Sequence, residues 1–371
     1  MSKTLVFGDL QVHPFAEWSK PTGRGKTPLL ELCEETFAWL KTLQAEYSCK
    51  NVIFLGDLFQ HGDMIDAMSF DLVVEWMPQL ARIDGHAIAL IGNHDIYSKH
   101  ADIHLMRWLE LAGWQVVSEP SVLVFDDDYP AAQFEPYRKY DPMRMPHWAS
   151  PHKRTLLFGH FDVKGAPLRP GFREKDGADL SDLSSFIGHY HHPDVMPTSR
   201  DMKHWAVFVG APFHRNWSDV RTENPRGAVI LESGRARDGD PQIQWKWVEN
   251  PHSPFFETVD VTGEERISVA EALETFAQSY DAPERTHLRV FVRQGDEEIA
   301  RMATKSFKSV RIIPSRHGAV STSARHLLPA VELAPEKILT DAVLRDKVTK
   351  LEKKKLLEVG SGLLSVAKEE K

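Results

Sequence analysis

The chain has 371 residues, of which 42% are hydrophobic and 26% are charged, a composition typical of a globular protein with one large domain and one or two small ones. The formal net charge of −8 excludes a protein that binds nucleic acid over its whole surface, although local basic patches or bound metal ions could still attract phosphates. No stretch of about 18 apolar residues, no leader pattern and no disulfide framework can be recognised. We therefore expect no membrane segment and a cytoplasmic location, which would be the host cytoplasm if the gene is viral.

One pattern recurs between residues 3 and 215: a run of four or five apolar residues ends in a glycine, and Asp, Asn or His usually follows. The runs read TLVFGD, NVIFLGD, AIALIGNHD, TLLFGH, SSFIGHYHH and WAVFVGAPF. Continuous apolar runs without alternation predict strands that are buried on both faces, so we expect an α/β sandwich covered by helices on each side. Apolar residues near helical spacing predict covering helices at 28–47, 64–80 and 100–112.

The strand ends carry a set of carboxylate, amide and imidazole groups. Its members are Asp9, Asp57, Asn93, His94, His160, His189 and His191. Ligands of an open α/β sheet gather outside the carboxyl ends of its strands, where these residues lie. Oxygen and imidazole ligands suit Mn²⁺, Fe, Zn²⁺ or Mg²⁺, and so many candidates overfill a single site. The set therefore predicts two ions bridged by an aspartate.

A second unit is predicted after the linker-like stretch 250–254. Apolar periodicity predicts strands at 256–261, 287–292 and 310–313, and helices at 268–280 and 296–304, which together make a small α+β unit. The remainder of the chain reads as an amphipathic helix, a turn and a short second helix. We therefore divide the chain into domains at 1–250 and 251–330, followed by a helical tail at 331–371.

The order and spacing of five motifs resemble those of the calcineurin-like metallophosphoesterases. The motifs are GD at 8–9, GDLF at 56–59, GNHD at 92–95, GH at 159–160 and GHYH at 188–191. Later stretches resemble the SbcD-type nuclease subunits of double-strand-break repair complexes, namely VGAPF at 209–213, PRGAVILE at 225–232 and VELAPEKIL at 331–339. The resemblance covers nearly the whole chain. It implies a metallophosphoesterase β-sandwich flanked by helices, with a small α+β capping domain and a C-terminal helical tail.

The resemblance also implies a role for each strand-end residue. Asp57 would bridge two divalent ions, with Mn²⁺ expected and Mg²⁺ as the alternative. Asn93, His160 and His189 would complete one site, and Asp9 and His191 would belong to the other. His94 would face the scissile phosphate as an acid or as a stabiliser of the transition state, and the neighbouring Asp95 could hold it protonated.

The first motif departs from the family pattern Asp-x-His, because Gln11 stands where the histidine is expected. In an extended segment Gln11 would lie about 6.6 Å along the chain on the same face as Asp9, whereas His13 would lie about 13 Å away and needs a turn to reach the ion. Gln11 is the favoured ligand, and His13 or neither residue remain the alternatives. His13 could instead touch the substrate phosphate, and Gln60 and His61 could play a supporting or DNA-contacting role.

The predicted function is that of a metal-dependent DNA exonuclease and endonuclease, acting on duplex ends and single strands in repair, recombination and replication. The expected partners are an SbcC-like coiled-coil ATPase, docked on the tail at 331–371, and a second copy of the chain. Basic and aromatic residues between the motifs, among them Arg215 and Trp217, could bind DNA, or they could be solvated charges and core aromatics. The rival functions are a stand-alone nucleotide or RNA phosphodiesterase and a non-catalytic DNA-end scaffold.

Overall fold

The chain is described by a computed structural model. It describes residues 2–16, 18–19, 25–97, 103–123, 132–137, 156–169, 172–181, 183–200, 203–217, 219, 224–235, 241–264, 266–280 and 282–315. The predicted tail at 331–371 lies outside the described residues.

The first layer is a six-stranded sheet. Its strands, in spatial order, are β14 (Pro241–Glu249), β13 (Gly227–Arg235), β1 (Ser2–Phe7), β2 (Asn51–Phe54), β3 (Ala87–Leu90) and β4 (Gln115–Val117). The four strands β1 to β4 run parallel, and β13 pairs antiparallel with β1 and with β14. The carboxyl ends of β1, β2 and β3 therefore meet at one edge of this sheet.

The second layer is also six-stranded. Its strands, in spatial order, are β11 (Asp194–Pro197), β12 (Trp205–Phe208), β10 (Ser184–Ile187), β7 (Leu156–Gly159), β6 (Ala132–Glu135) and β5 (Ser121–Leu123). The central strands β12, β10, β7 and β6 are parallel. A short hairpin of β8 (Pro167–Arg169) and β9 (Phe172–Arg173) follows β7 in the chain.

The main core lies between these two sheets. Val6 and Ile53 of the first sheet pack with Phe134, Phe158 and Phe186 of the second, and all five are fully buried. The three phenylalanine rings stack in sequence, with centroid separations of 5.3 and 5.5 Å. Burying each such side chain stabilises the fold by roughly 1.5–3 kcal/mol, so the sandwich holds its strand ends on a rigid base.

Two helices cover the outer face of the first sheet. Helix α1 (Pro28–Glu46) begins after Thr27, whose side chain accepts a hydrogen bond from the Leu30 amide, and helix α2 (Ala67–Leu80) begins after Asp66, whose carboxylate accepts from two amides. Their apolar faces pack on alternate residues of β1 and β2, such as Phe7. None of the described helices combines the length and apolar character needed to cross a bilayer.

The covering of the sandwich departs from the prediction in two places. Among the described residues, the outer face of the second sheet is packed by Val163, Ala166 and Leu180 from the segment after β7, and not by a helix. Of the predicted helix at 100–112, residues 103–112 are described, and they contain a short 3-10 helix, Leu105–Glu110. It cannot begin earlier, because His104 is extended and forms a bridge with Ile96.

A separate three-stranded parallel sheet follows β14. It consists of β15 (Phe255–Asp260), β16 (Thr286–Arg293) and β17 (Ser309–Ser315), with α3 (Arg266–Ser279), a 3-10 turn (Pro283–Arg285) and α4 (Glu297–Ala303) in the connections. Every element predicted for this small unit is present, and the unit has its own apolar core. The domain boundaries at 250 and 330 stay predictions.

Aromatic side chains join the small unit to the sandwich. Trp18, which precedes α1, lies 5.7 Å from Phe256 and 4.6 Å from His287, measured between ring centroids. Trp217 lies 5.1 Å from Phe256 and donates its indole N–H to the carbonyl of Glu257. Residues of the small sheet therefore stand beside the loop after β1 and the segment between β12 and β13.

Candidate metal centre and adjoining cavity

Four of the predicted site residues have a left-handed backbone, namely Asp9 (φ 52°), Gln11 (φ 42°), Asp57 (φ 60°) and His189 (φ 73°). This conformation is uncommon for residues with a side chain, and it persists only where neighbouring contacts impose it. The Asp9 amide donates to Gly56 O at 2.9 Å, and the Gln11 amide donates to Asp57 O at 2.8 Å. The loops after β1 and β2 therefore hold each other in place, and the side chains of Asp9 and Asp57 meet in one cluster.

Asp9, Asp57 and His160 form a buried cluster in which one ligand atom from each lies within 4.8 Å of the others. Burial, followed by repulsion from Asp57, raises the pKa of Asp9 to about 8. Asp9 Oδ2 is buried, and no donor from the described residues reaches it. A divalent cation would offset the repulsion between the two buried carboxylates and would give Asp9 Oδ2 a partner. Carboxylate and imidazole groups together are ligands that such cations accept. The residues present therefore fit a metal ion.

Asn93, His160 and His189 meet on one side of Asp57. Asn93 Oδ1 lies 2.9 Å from His160 Nε2 and 2.7 Å from His189 Nδ1, and His160 Nε2 lies 3.5 Å from Asp57 Oδ1. His160 Nδ1 donates to the Leu55 carbonyl at 2.7 Å, which leaves the Nε2 lone pair facing the cluster. Burial lowers the pKa of His160 to about 4, so the ring stays neutral as a metal ligand must.

Asp162, which is not among the residues predicted from the sequence, orients His189. Its Oδ1 lies 3.0 Å from His189 Nε2, on the opposite side of the ring from Asn93. Burial by itself lowers the pKa of His189, but the hydrogen bond and charge of Asp162 together with the charges of Asp9 and Asp57 make the net shift upward. A carboxylate that holds the far nitrogen of a metal-binding histidine is a common supporting contact. The available signal was its position, two residues after His160 in the motif GHFD.

Gln11 and His191 lie on the other side of Asp57. Gln11 Nε2 is 3.1 Å from Asp57 Oδ2 and 3.1 Å from His191 Nε2. Burial, followed by the charges of Arg215 and Arg226, holds the pKa of His191 well below its usual value. The carbonyl oxygen of Gln11 accepts a hydrogen bond from Arg215 and so faces away from the cluster. The prediction that Gln11 binds an ion through this oxygen stays a prediction, and the present geometry does not favour it.

Arg215 is a buried residue whose importance at this site the sequence did not show. Its Nη1 donates to Gln11 Oε1 and lies 3.4 Å from Gln60 Oε1, and its Nη2 donates to the carbonyl of Asp9. Its backbone is held as well, because its amide donates to Asp219 at 2.6 Å and its carbonyl accepts from Trp18 at 2.6 Å. The guanidinium is therefore fixed directly behind the first motif.

His94 stands at the rim of the cluster. Its amide donates to Asp57 Oδ1 at 2.8 Å, its Nδ1 donates to the Gln60 carbonyl at 2.6 Å, and its Nε2 lies 4.0 Å from Asp57 Oδ2. The side chain is 32% exposed. The ring thus presents Nε2 to the cluster from the solvent side, and its catalytic role stays a prediction.

Asp95 does not hold His94 in the way the sequence predicted. Its carboxylate faces the backbone and accepts hydrogen bonds at 2.8–2.9 Å from the amides of Asp57, Leu58 and Gly92. Because the Asp95 carboxylate accepts from three buried amides, it holds the motif GDLF at 56–59 against the motif GNHD at 92–95. Gly92 completes this junction, because a Cβ there would lie 2.1 Å from Asp57 Oδ1. Asp95 is therefore a positioning residue.

A cavity of about 1120 Å³ adjoins the cluster. His13, Gln60 and His61 line it, and His13 Nδ1 lies 2.7 Å from the carbonyl of Gln11. The structure therefore places these three predicted residues at the cavity wall. The same cavity is lined by Gln11, His191, Arg215, Trp217 and, from the small sheet, Arg289.

The packed sheets and the buried cluster define a protein that can hold a divalent cation at the ends of parallel strands. A family model for calcineurin-like phosphoesterases matches residues 2–193, more than half of the 371-residue chain. The chain belongs to this family of metal-dependent phosphoester hydrolases. The match includes every predicted site residue and ends before Arg215 and the small sheet. No curated protein matches the chain at a significant level.

Proposed function

We propose that the chain is a DNA nuclease of the SbcD type, which hydrolyses phosphodiester bonds at duplex ends. One observation supports this most: the wall formed by Gln11, His191 and Arg215 is shared between the cavity and the metal centre. A strand bound in the cavity would therefore bring a phosphate to the cluster. Arg289 and Trp217 line the same cavity, and a cation beside an aromatic ring suits a sugar-phosphate backbone with an unstacked base.

In the proposed reaction the bound metal and the protein side chains would have separate roles. Asp9, Asp57, Asn93, His160, His189 and His191 would hold the metal. Bound Mn²⁺ or Mg²⁺ would supply activation of water and neutralisation of charge on phosphorus. His94 donates from Nδ1 to the Gln60 carbonyl, which fixes the ring with Nε2 toward the cluster, and the doubly protonated ring would give its Nε2 proton to the leaving oxygen. Asp95 keeps the loops of Asp57 and His94 in register.

The proposed partners follow from the resemblance of the later part of the chain. The tail at 331–371 would dock on the coiled-coil base of an SbcC-like ATPase, and two copies of the chain would form a dimer in the cytoplasm. We expect ATP and this partner to change the activity on duplex ends.

The test is degradation of an end-labelled linear duplex with Mn²⁺, Mg²⁺ or a chelator, in the presence and absence of ATP and the ATPase partner. The native chain should release label with Mn²⁺, and His94→Ala should lose at least 100-fold in rate, as expected on removal of a general acid (about 10²–10⁴-fold). His86→Ala is the matched control, because His86 is an exposed residue before β3. If the native chain is inactive under all these conditions, the nuclease proposal is wrong.

The cavity also has room for the substrate of a second candidate function, a phosphodiesterase acting on a nucleotide or a short RNA. Small-molecule sites typically enclose about 300–1,000 Å³, and a cavity of about 1120 Å³ is close to that range. Hydrolysis of a dinucleotide without cleavage of duplex DNA would support this candidate over the nuclease.

A further inference from the structure

The orientation of the Gln11 amide is fixed by its neighbour. An arginine side chain carries only hydrogen-bond donors, so the atom of Gln11 that meets Arg215 Nη1 must be the carbonyl oxygen. The amide nitrogen then faces Asp57 Oδ2 and His191 Nε2, both at 3.1 Å. Reversing the amide would place two donors against each other and two acceptors against each other.

This orientation conflicts with an ion on that side of Asp57. An amide N–H cannot coordinate a cation, and here it donates toward the carboxylate and the imidazole that an ion would need. Arg215 cannot easily release Gln11, because its guanidinium also bonds the Asp9 carbonyl and its backbone is held by Asp219 and Trp18. The Arg215 guanidinium therefore places a fixed positive charge at the backbone carbonyl of Asp9. The family pattern would instead place a second ion at the Asp9 carboxylate.

The other side of Asp57 is free of such a conflict. Asn93, His160 and His189 converge there, and Asp9 Oδ2 remains available among the described residues. One oxygen of Asp9 belongs to the cluster that includes Asp57 and His160. The ligand atoms that converge without an opposing amide N–H therefore suit one ion and not two.

We infer that Gln11 and Arg215 together take the place of the first ion, so that this chain binds one divalent cation tightly through Asp9, Asp57, Asn93, His160 and His189. The inference deepens the proposed function and rests on its assignment of these five ligands, but it removes His191 from the ligand set. Arg215 is a positioning residue that holds the Gln11 amide, and it contributes permanent charge beside the substrate cavity.

The experiment measures Mn²⁺ stoichiometry and affinity by calorimetry on the full chain, and the electron paramagnetic resonance spectrum of the bound Mn²⁺. The native chain should bind one ion, with the hyperfine pattern of an isolated Mn²⁺. In Gln11→Ala the affinity for this ion should be unchanged, because the amide is not a ligand. The double variant Gln11→His with Arg215→Gln restores the imidazole and removes the competing charge, so it should bind a second ion at least about 10-fold more tightly than the native chain does.

Arg289→Gln is the matched control, since Arg289 lines the cavity but bonds Thr258 and not Gln11. It should keep the native stoichiometry. Circular dichroism establishes that each variant is folded, and Gln11→Ala tests the inference even if the double variant does not fold. Two ions of similar affinity in the native chain, with one lost in Gln11→Ala, would overturn the inference while leaving the proposed nuclease intact. Absence of any bound ion would overturn both.

Discussion

His189 shows how a single side chain is prepared for a metal ion. Its left-handed backbone (φ 73°) lets its amide donate to Asp9 Oδ1 at 3.1 Å while its ring reaches Asn93. Asp162 then holds the opposite ring nitrogen. Such a conformation costs roughly 1–2 kcal/mol, which the surrounding hydrogen bonds must offset. The ring is therefore oriented before any ion arrives.

Asp162→Asn should weaken metal binding without unfolding the chain. An asparagine can still fill the space beside His189 Nε2 but lacks the charge that favours the oriented ring, so we expect the affinity for Mn²⁺ to fall about 10- to 100-fold. Calorimetry measures the change, and Asp176→Asn in the same segment is the control because Asp176 is exposed. Equal affinities in the two variants would show that Asp162 does not support the site.

The sequence predicted the strand-end residues because a local signal marks each of them. Asp9, Asp57 and His160 follow apolar runs that end in glycine, and the sheet topology then brings them together. Arg215 carries no such signal: it meets Gln11 across 204 positions of the chain, and only the assembled fold reveals the contact. The direction of a side chain is equally invisible, which is why Asp95 was predicted to hold His94 and instead bonds three amides.

At the scale of elements, prediction succeeded where the pattern of a segment decides its structure. The small unit alternates short apolar runs with amphipathic stretches, and each one forms the predicted strand or helix. It failed where a tertiary contact intervenes, as in the bridge between Ile96 and His104 that shortens the predicted third helix. The covering of the second sheet could not be predicted either, since Gly165 and Pro167 interrupt the segment that supplies Val163, Ala166 and Leu180, and no sustained helical periodicity remains.

The stack of Trp18, Phe256 and His287 between the small sheet and the sandwich should make stability depend on pH. The His287 ring lies 5.0 Å from that of Phe256 at an interplanar angle of 15°. Burial, followed by the charge of Lys308, lowers its pKa from 6.5 to about 4. Between these two values the unfolded chain binds a proton that the folded chain does not. Neutral His287 therefore makes its full contribution to the free energy of unfolding above pH 6.5, and this contribution is lost as the pH falls toward 4.

Denaturant unfolding between pH 6.5 and about 4 measures this effect. His287→Phe should remove up to about 3 kcal/mol of the acid-induced loss in the free energy of unfolding, because it keeps the stacking area and removes the titrating group. Ser309→Ala is the control, since it removes only the hydrogen-bond partner at 2.6 Å from His287 Nδ1 and leaves the histidine to titrate. If His287→Phe shows the native pH dependence, His287 does not determine it.

At the scale of the whole molecule, charge and shape restrict where the proposed DNA substrate could bind. A net charge of −8 repels a polyanion over most of the surface, so attraction would have to come from a few cations placed at the site and from a metal ion held there. The cavity meets this requirement by combining Arg215 from the sandwich with Arg289 from the small sheet. Neither part of the chain forms this wall alone.

Arg289→Gln should therefore weaken DNA binding in a salt-dependent way. The Arg289 guanidinium donates to Thr258 Oγ1 and lies 5.4 Å from the centroid of the Trp217 ring, where it can contact one phosphate of a strand in the cavity. Losing one phosphate contact should lower the slope of log affinity against log salt by about one, measured by fluorescence anisotropy between about 50 and 200 mM salt. Arg293→Gln is the control, because it removes the same charge from an exposed position on the same strand, β16. If both variants lower the slope of log affinity against log salt equally, the weaker DNA binding reflects the change in net charge and not a contact in the cavity. A change confined to Arg289→Gln instead requires the strand to pass through the cavity, between the small sheet and the metal centre.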